Sequence, residues 1–284
     1  MCDAPRMTPR RPITELFAGA EFLPLPGVYD ALGAVLAVRA GFRAIFVSGY
    51  AVSATRLARP DVGLVTQTEM LDAARRVCAA VDVPVIVDAD TGYGDATNVE
   101  RTVRELVQAG AAGCFLEDQV WPKRCGHMEG KQVVALEEYL EKLAAALKAR
   151  PAGFHVTART DARAPLGLDE AIRRARAFAE AGADAVFVEA PRTVDEMAAV
   201  RAALPPEVPL VANMVEGGKT PHRTVAECAA AGFRIVVLPI AGLLAATHAL
   251  AGVYATLACD GSSRGFADRM LDFDAMNALL GLAR

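Results

Sequence analysis

Lys123-Arg124-Cys125-Gly126-His127 brings a thiol, an imidazole and two cations together in five residues around a glycine. Cations beside a cysteine favour its thiolate, so Cys125 is a candidate acid, base or nucleophile. The competing reading is a surface thiol in a solvated basic turn, and the pentapeptide alone does not separate the two. Just upstream, Gly113-Cys114-Phe115-Leu116 is an apolar run that ends in Glu117-Asp118. A buried strand that stops at carboxylates and opens into a glycine-containing loop is how an α/β enzyme presents chemistry.

A second acidic strand end is Asp88-Ala89-Asp90, whose spacing places two carboxylates on one side of an extended chain. With Glu117 they make an oxygen-rich set with no His or Cys, which suits Mg²⁺ (or Mn²⁺) with several waters retained. An ion pair with Arg159 would account for one of these acids, not three. Arg159 offers a bidentate fork for a substrate carboxylate, and Asn213 and Ser48-Gly49 add neutral donors. Such a site suits a small di- or tricarboxylate whose developing enolate charge is held by a metal. His155, in a strand run, and His248, on an apolar helix, are expected to be core histidines. Glu216-Gly217-Gly218-Lys219-Thr220 resembles the end of a phosphate-binding loop, but Asn213 stands where its first glycine belongs, so nucleotide binding is rejected.

The elements that must carry these residues repeat along the chain. Amphipathic stretches end in Ala40-Gly41, Ala109-Gly110, Ala181-Gly182 and Ala231-Gly232, and each is followed by a short apolar run. Glycine there is the residue just past a helix that lets the chain turn into the next strand. Those runs, 44–47, 113–116, 185–188 and 235–238, join 22–25, 83–87, 154–158 and 208–212 to give eight strands interleaved with helices. The prediction is a (β/α)8 barrel, one domain over 1–284, with 240–284 as a C-terminal helical oligomerisation segment. An open doubly wound sheet would need a glycine-rich phosphate turn after the first strand, and there is none. Six runs end in polar residues: Ser48, Asp88 with Asp90, Glu117 with Asp118, Arg159 with Asp161, Glu189, and Asn213. In a barrel these ends converge on one face. Helix caps alone would call for one short polar residue per loop, nearer the helix.

The bulk properties fit one large core. The chain has 284 residues, is 53% hydrophobic and 23% charged, and carries a net charge of −4. That charge, with a single Trp, gives neither the basic surface nor the stacking platforms of a nucleic-acid binder. Six cysteines, Cys2, Cys78, Cys114, Cys125, Cys228 and Cys259, have no CxxC or metal-ligand spacing, which points to a reduced, cytoplasmic protein. Residues 1–11 are basic but lack the apolar core of a signal peptide. Between Ile235 and Cys259 there is no Asp, Glu, Lys or Arg. That is long enough for a membrane span, but a strand followed by an Ala-rich buried helix is the better reading, with the helix covered by another subunit.

In order along nearly the whole chain, Ser48-Gly49-Tyr50, Arg59-Pro60-Asp61, Asp88-Ala89-Asp90-Thr91-Gly92-Tyr93-Gly94, Leu116-Glu117-Asp118-Gln119, Pro122 to His127, Ala158 to Arg163, Val188-Glu189-Ala190 and Ala212 to Pro221 resemble the isocitrate lyase/phosphoenolpyruvate mutase superfamily. The resemblance implies a (β/α)8 barrel, Mg²⁺ and a mobile loop over the site. It makes Asp88 the direct metal ligand, with Asp90, Glu117 and Asp61 acting through water. Cys125 becomes the general acid toward an enolate product, with Lys123, Gly126 and His127 as its loop companions. Ser48, Gly49, Tyr50, Asp88, Gly126, Arg159, Glu189 and Asn213 become the substrate-binding set. It also implies a homotetramer with a C-terminal helix swapped between subunits. There are departures. Tyr50 stands where the methylisocitrate lyases tend to have Gly. Ala241 stands where several relatives have a hydroxyl linked to oxaloacetate hydrolysis. The last segment is shorter than in many relatives.

The leading expectation is a Mg²⁺-dependent lyase that cleaves a carbon–carbon bond of a 2-hydroxy di- or tricarboxylate, of 2-methylisocitrate or alkylmalate type. The alternatives are a carboxyphosphonoenolpyruvate phosphonomutase, an oxaloacetate hydrolase or decarboxylase, and a non-catalytic carboxylate-binding protein. The intact acids and the Cys125 loop argue against the last.

Overall fold

The computed structural model describes Ile13, Leu16 and residues 22–282. The signal-peptide reading of 1–11 and Cys2 lie outside the described residues. The chain divides into two compact units, Met1–Gly242 and Leu243–Arg284.

The first unit is the barrel. Its strands are β1 (Leu23–Val28), β2 (Ile45–Val47), β3 (Val85–Asp88), β4 (Gly113–Glu117), β5 (His155–Thr160), β6 (Ala185–Val188), β7 (Val211–Asn213) and β8 (Ile235–Leu238). All paired strands are parallel, in the order β6-β5-β4-β3-β2-β1-β8-β7. A single parallel bridge, Val186 to Leu210, joins β6 to the start of β7 and nearly closes the ring. Helices cross over between consecutive strands, as parallel pairing requires.

Side-chain alternation sorts each strand into two cores. Leu23, Leu25, Phe46, Ile86, Phe115, Phe187, Val211, Ile235 and Val237 fill the barrel interior. Their neighbours, such as Ile45, Val87, Leu116, Val156, Val186 and Val236, face the helices. The inward phase carries past the apolar residues to the strand ends. Two residues beyond Ile86 is Asp88, beyond Phe115 is Glu117, beyond Phe187 is Glu189 and beyond Val211 is Asn213. β3, β4, β5 and β7 therefore run one or two residues past their apolar stretches, because the polar ends pair in the ladder too: Glu117 is in register with Arg159. β7 also starts late, at Val211, since Pro209 lacks the N–H a ladder needs.

The Ala-Gly pairs end helices as expected, with Gly41, Gly110, Gly182 and Gly232 all at positive φ, between 85° and 95°. Helix starts are fixed locally. Thr66 and Glu69 form a reciprocal capping box, as do Thr224 and Glu227.

The second unit consists of most of the helix Ala241–Asp260, a 3₁₀ turn Arg264–Arg269 and a short helix Phe273–Leu279. The long helix is long and apolar enough to cross a membrane by length and composition. Its sequence predicted a buried helix. Only Leu243 is buried, while Leu244, Leu250, Tyr254 and Leu257 are exposed. His248 is exposed as well, so it is not a core histidine. His155 is buried at the start of β5, as predicted.

Candidate active site

A cavity of about 230 Å³ opens at the C-terminal ends of the strands, the face where (β/α)8 barrels carry chemistry. Phe46, Phe115 and Phe187 lie at its base, with the Phe115 ring against the other two at centroid distances of 4.9 and 5.9 Å. Its polar wall comes from strand ends and loops: Ser48, Asp88, Arg159, Glu189 and Asn213 from the former, Asp61, Lys123, Cys125 and His127 from the latter. Tyr50 and Gly126 also face it. Gly49 does not, but a Cβ there would sit 2.7 Å from Asp88 Oδ2, so only glycine lets Asp88 approach this helix start. Ser48 has a second role, accepting the Ala51 N–H at 3.4 Å as a helix cap. One of the six polar strand ends is thus also a cap.

Two predicted metal residues lie behind this wall. β3 ends at Asp88, and Asp90 takes a left-handed φ of 47°, so the two acids do not continue one extended chain. Asp90 turns to Lys123 instead. The Lys123 ammonium lies 2.7 Å from Asp61 Oδ1 and 2.7 Å from Asp90 Oδ1, with all three side chains buried. Burial opposes the Lys123 charge, but the surrounding carboxylates outweigh it and keep the ammonium protonated. Burial pushes Asp90 up to about 7, against the pull of Lys123. Glu117 is raised well above the carboxylate range by burial, despite Arg159. Glu117 Oε1 is buried without a hydrogen-bond partner.

Arg159 was expected to offer its fork to a substrate. Its Nε and Nη2 instead bind Asp161 Oδ2 and Oδ1 at 2.9 and 3.0 Å. The reason is the period of two at the strand end, which puts residues 159 and 161 on the same side. Arg159 Nη2 also lies 3.2 Å from Glu189 Oε2, and Nε lies 3.4 Å from Glu117 Oε2. Burial alone would raise the Glu189 carboxyl, but Arg159 and the His127 hydrogen bond hold it well below the usual range.

The thiol loop is an excursion between β4 and the helix Leu136–Ala149, pinned at its base by an antiparallel bridge from Gln119 to Val133. The Gln119 amide holds the turn, donating to Arg124 O at 2.8 Å and accepting from Arg124 N at 3.0 Å. The Cys125 N–H donates to Asp61 O at 2.9 Å. A favoured thiolate was expected here, and the structure corrects this. Lys123 is committed to acids and Arg124 is exposed, so neither cation serves the sulfur. Burial, chiefly, pushes the Cys125 thiol up to about 11. It is a protonated acid at neutral pH, not a ready nucleophile.

His127 lies between two loops. Its Nδ1 accepts the Lys219 backbone N–H at 2.8 Å, which places the proton of the neutral ring on Nε2, 3.2 Å from Glu189 Oε1. The Glu216–Thr220 run rejected as a phosphate loop therefore serves this site by positioning an imidazole. Residue patterns gave no sign of that, nor of Lys131, whose ammonium is buried beneath the thiol loop.

The donor set fits a hard divalent cation. Asp61, Asp88, Asp90, Glu117, Asp161 and Glu189 are six carboxylates, against three cations, Lys123, Lys131 and Arg159. Three cations do not keep all six acids ionised, as the raised Asp90 and Glu117 show, and a carboxylate substrate entering beside the unpartnered Glu117 Oε1 would need a further cation to balance it. Among the described residues no three His, Cys, Asp or Glu are gathered closely enough to chelate an ion directly. A cation here would keep much of its water, which is normal for Mg²⁺.

The barrel and the acid, cation and thiol cluster at its C-terminal rim define a (β/α)8-barrel enzyme. The chain matches the phosphoenolpyruvate phosphomutase family over residues 13–258. It is 50% identical to the petal death protein of Dianthus caryophyllus over 91% of this chain and 81% of that one. It is 49% identical to the chloroplastic carboxyvinyl-carboxyphosphonate phosphorylmutase of Arabidopsis thaliana, over 91% and 77%. Against the 2,3-dimethylmalate lyase of Eubacterium barkeri the identity is 44%, over 95% and 93%. Among solved structures, oxaloacetate acetylhydrolase bound to the inhibitor 3,3-difluorooxalacetate superposes with a TM-score of 0.89 at 37% identity, over 94% and 92% of the chains. Phosphonopyruvate hydrolase in complex with oxalate and Mg²⁺ gives 0.82 at 34%, over 92% and 90%. The chain belongs to the PEP mutase/isocitrate lyase superfamily and is an enzyme of its lyase type.

Proposed function

We propose that this enzyme is a Mg²⁺-dependent carbon–carbon lyase acting on a 2-hydroxy di- or tricarboxylate of alkylmalate or 2-methylisocitrate type. The products are an α-keto acid and a second carboxylic acid. The observation that carries the reading is the half-buried, protonated thiol of Cys125 on the wall of a cavity that also presents Arg159, His127, Glu189 and Asn213. A retro-aldol cleavage needs such an acid. As the substrate hydroxyl gives up its proton, the carbon–carbon bond breaks and its electron pair passes to the carbon beside the second carboxylate. Cys125 protonates that enolate carbon, and the proton released from the hydroxyl restores the thiol.

Asp88 would hold the cation directly, and Asp61, Asp90 and Glu117 through water. When bound, the cation supplies Lewis-acid stabilisation of the substrate oxyanions. Lys123 keeps Asp61 and Asp90 in place. Asn213 Nδ2 binds Glu189 Oε2 at 3.2 Å, and with Arg159 and His127 it holds that carboxylate at the cavity wall. Ser48 and Tyr50 line the same space. The apolar base formed by Phe46, Phe115 and Phe187 suits an alkyl-bearing substrate carbon.

The working unit in this reading is a cytoplasmic homotetramer, with the barrel as its catalytic domain and residues 240–284 as its assembly segment. The exposed apolar helix Ala241–Asp260 and five free cysteines among the described residues support it. The test is to incubate purified protein and Mg²⁺ with 2-methylisocitrate, isocitrate, alkylmalates and oxaloacetate while following keto-acid release. A parallel assay with carboxyphosphonoenolpyruvate follows carbon–phosphorus bond formation. Keto acid from a hydroxy-acid substrate is expected. Turnover confined to oxaloacetate or to the phosphonate substrate would overturn the lyase reading.

A further inference from the structure

The Lys131 ammonium is buried, with a side-chain exposure of 0%. It donates to the Gly126 carbonyl at 2.5 Å and to Asp161 Oδ1 at 2.8 Å. Gly126 is the residue next to the thiol, and Asp161 is the carboxylate that grips both nitrogens of the Arg159 edge. One side chain thus links the loop that carries Cys125 to the ion pair that carries Arg159. The link is tight. A Cβ on Gly126 would sit 2.5 Å from Arg159 Nη2 and 2.4 Å from Glu189 Cγ, so the loop lies directly on those two side chains.

The energetics make this more than loop anchoring. A buried ammonium is retained only when its partners satisfy it, and Lys131 has one charged and one neutral acceptor on two different elements. The bond to Asp161 fixes Lys131 to the barrel, and the bond to Gly126 O then fixes the thiol loop to Lys131. The other ties of the loop are Cys125 N to Asp61 O, Lys123 to Asp61 and Asp90, and the His127 side chain, which takes the Lys219 N–H and meets Glu189 at 3.2 Å. Among the hydrogen bonds of the loop backbone, the one at Gly126 O is the one that leads to the Arg159 pair.

We propose that Lys131 is a positioning residue that sets the distance between the Cys125 thiol and the Arg159–Glu189 wall by tying Gly126 O to Asp161. The part of this inference that concerns turnover rests on the lyase reading. The part that concerns the thiol does not.

The experiment uses the full-length protein and two readouts. Lys131→Met keeps the length of the side chain and removes both bonds. Lys131→Arg keeps the charge but cannot place its broader head at both acceptors. The rate of Cys125 alkylation by iodoacetamide, read by peptide mass spectrometry, reports on the loop whatever the substrate is. Lys131→Met is expected to raise that rate about tenfold or more, because a released loop exposes the thiol and frees it to ionise. On the best substrate kcat should fall about 10²-fold, as for a misplacement near 1 Å, with a smaller change in KM. Lys131→Arg should fall between this and the wild type in both readouts. An alkylation rate within twofold of wild type in a folded Lys131→Met protein overturns the proposal. If the wild type turns over none of the carboxylates but the alkylation rate still rises, the positioning role stands and the lyase reading falls. If neither variant folds, hydrogen exchange on the wild type decides. The Met128 amide, bonded to Cys125 O, should be protected well beyond an exposed loop amide, and exchange at the open-loop rate overturns the proposal.

Discussion

His127 and Glu189 face each other across the cavity wall, with the imidazole Nε2 3.2 Å from Oε1. The Lys219 main-chain N–H on Nδ1 fixes the ring and leaves the Nε2 proton facing Glu189 without a hydrogen bond already committed elsewhere. Gly218 is what allows the approach. A Cβ there would lie 2.6 Å from His127 Nδ1. Gly218→Ala should therefore push the ring off Lys219 and loosen its hold on Glu189. The segment is half-buried and outside both hydrophobic cores, so the melting temperature should change little, while kcat/KM falls roughly 10- to 100-fold. A variant with wild-type kinetics would remove the tautomer from the argument.

Cys125→Ser tests the acid itself. The substitution is nearly isosteric, so folding and carboxylate binding should survive. A serine hydroxyl is a far weaker acid than a thiol, and a loss in kcat of about 10²–10⁴ with little change in KM is expected. A kcat within about twofold of wild type, with a normal melting curve, would show that the sulfur takes no part in proton delivery.

Metal dependence follows from the buried acids of the rim that the chain's own cations leave unsatisfied, Glu117 Oε1 above all. Activity should vanish in EDTA and return with Mg²⁺ or Mn²⁺. Asp88→Asn should weaken Mg²⁺ binding, measured by calorimetry, more than Asp90→Asn does, because Asp90 already has Lys123 as its counter-ion. Full turnover in excess chelator would refute the assignment. Zn²⁺ bound through Cys125 and His127 would contradict it as well.

Barrel, strand order and rim were legible in the sequence because two periods coincide there. Inward side chains recur every two residues, and each apolar run stops where the barrel opens, so Asp88, Glu117, Arg159, Glu189 and Asn213 announced themselves. What could not be read was which charges neutralise one another. Lys123 sits beside Cys125 in sequence, but its ammonium binds Asp61, sixty-two positions away, and Asp90. With Lys123 engaged there, burial raises the thiol where local charge had suggested lowering it. Lys131 was equally invisible, since nothing about a lysine in a loop shows that its ammonium is buried on Asp161.

Assembly can be tested on the helix Ala241–Asp260. Leu250, Tyr254 and Leu257 are each at least 40% exposed on an apolar helix. In water such a surface favours association. Light scattering should give a homo-oligomer at micromolar concentration, and Leu250→Glu with Tyr254→Glu should shift it toward smaller species without changing the barrel's circular dichroism. A monomeric wild type would refute the assembly.

The stability of the barrel should depend on pH through His155, which lies at the far end of the barrel from the cavity. Burial lowers its pKa to about 4, and its Nε2 lies 2.9 Å from Thr157 Oγ1. In the unfolded chain the same imidazole titrates near 6.5. Between these values the unfolded state takes up a proton that the folded state does not, so stability rises with pH across this window. His155 therefore costs nothing above pH about 6.5, and its cost grows as pH falls, to roughly 3 kcal/mol near pH 4. Denaturant unfolding at several pH values should show this slope superimposed on that of the carboxylates. His155→Asn cannot titrate, so the difference in unfolding free energy between wild type and variant should change with pH only between about 6.5 and 4. A difference that stays constant through that range would mean that His155 is protonated in the folded barrel.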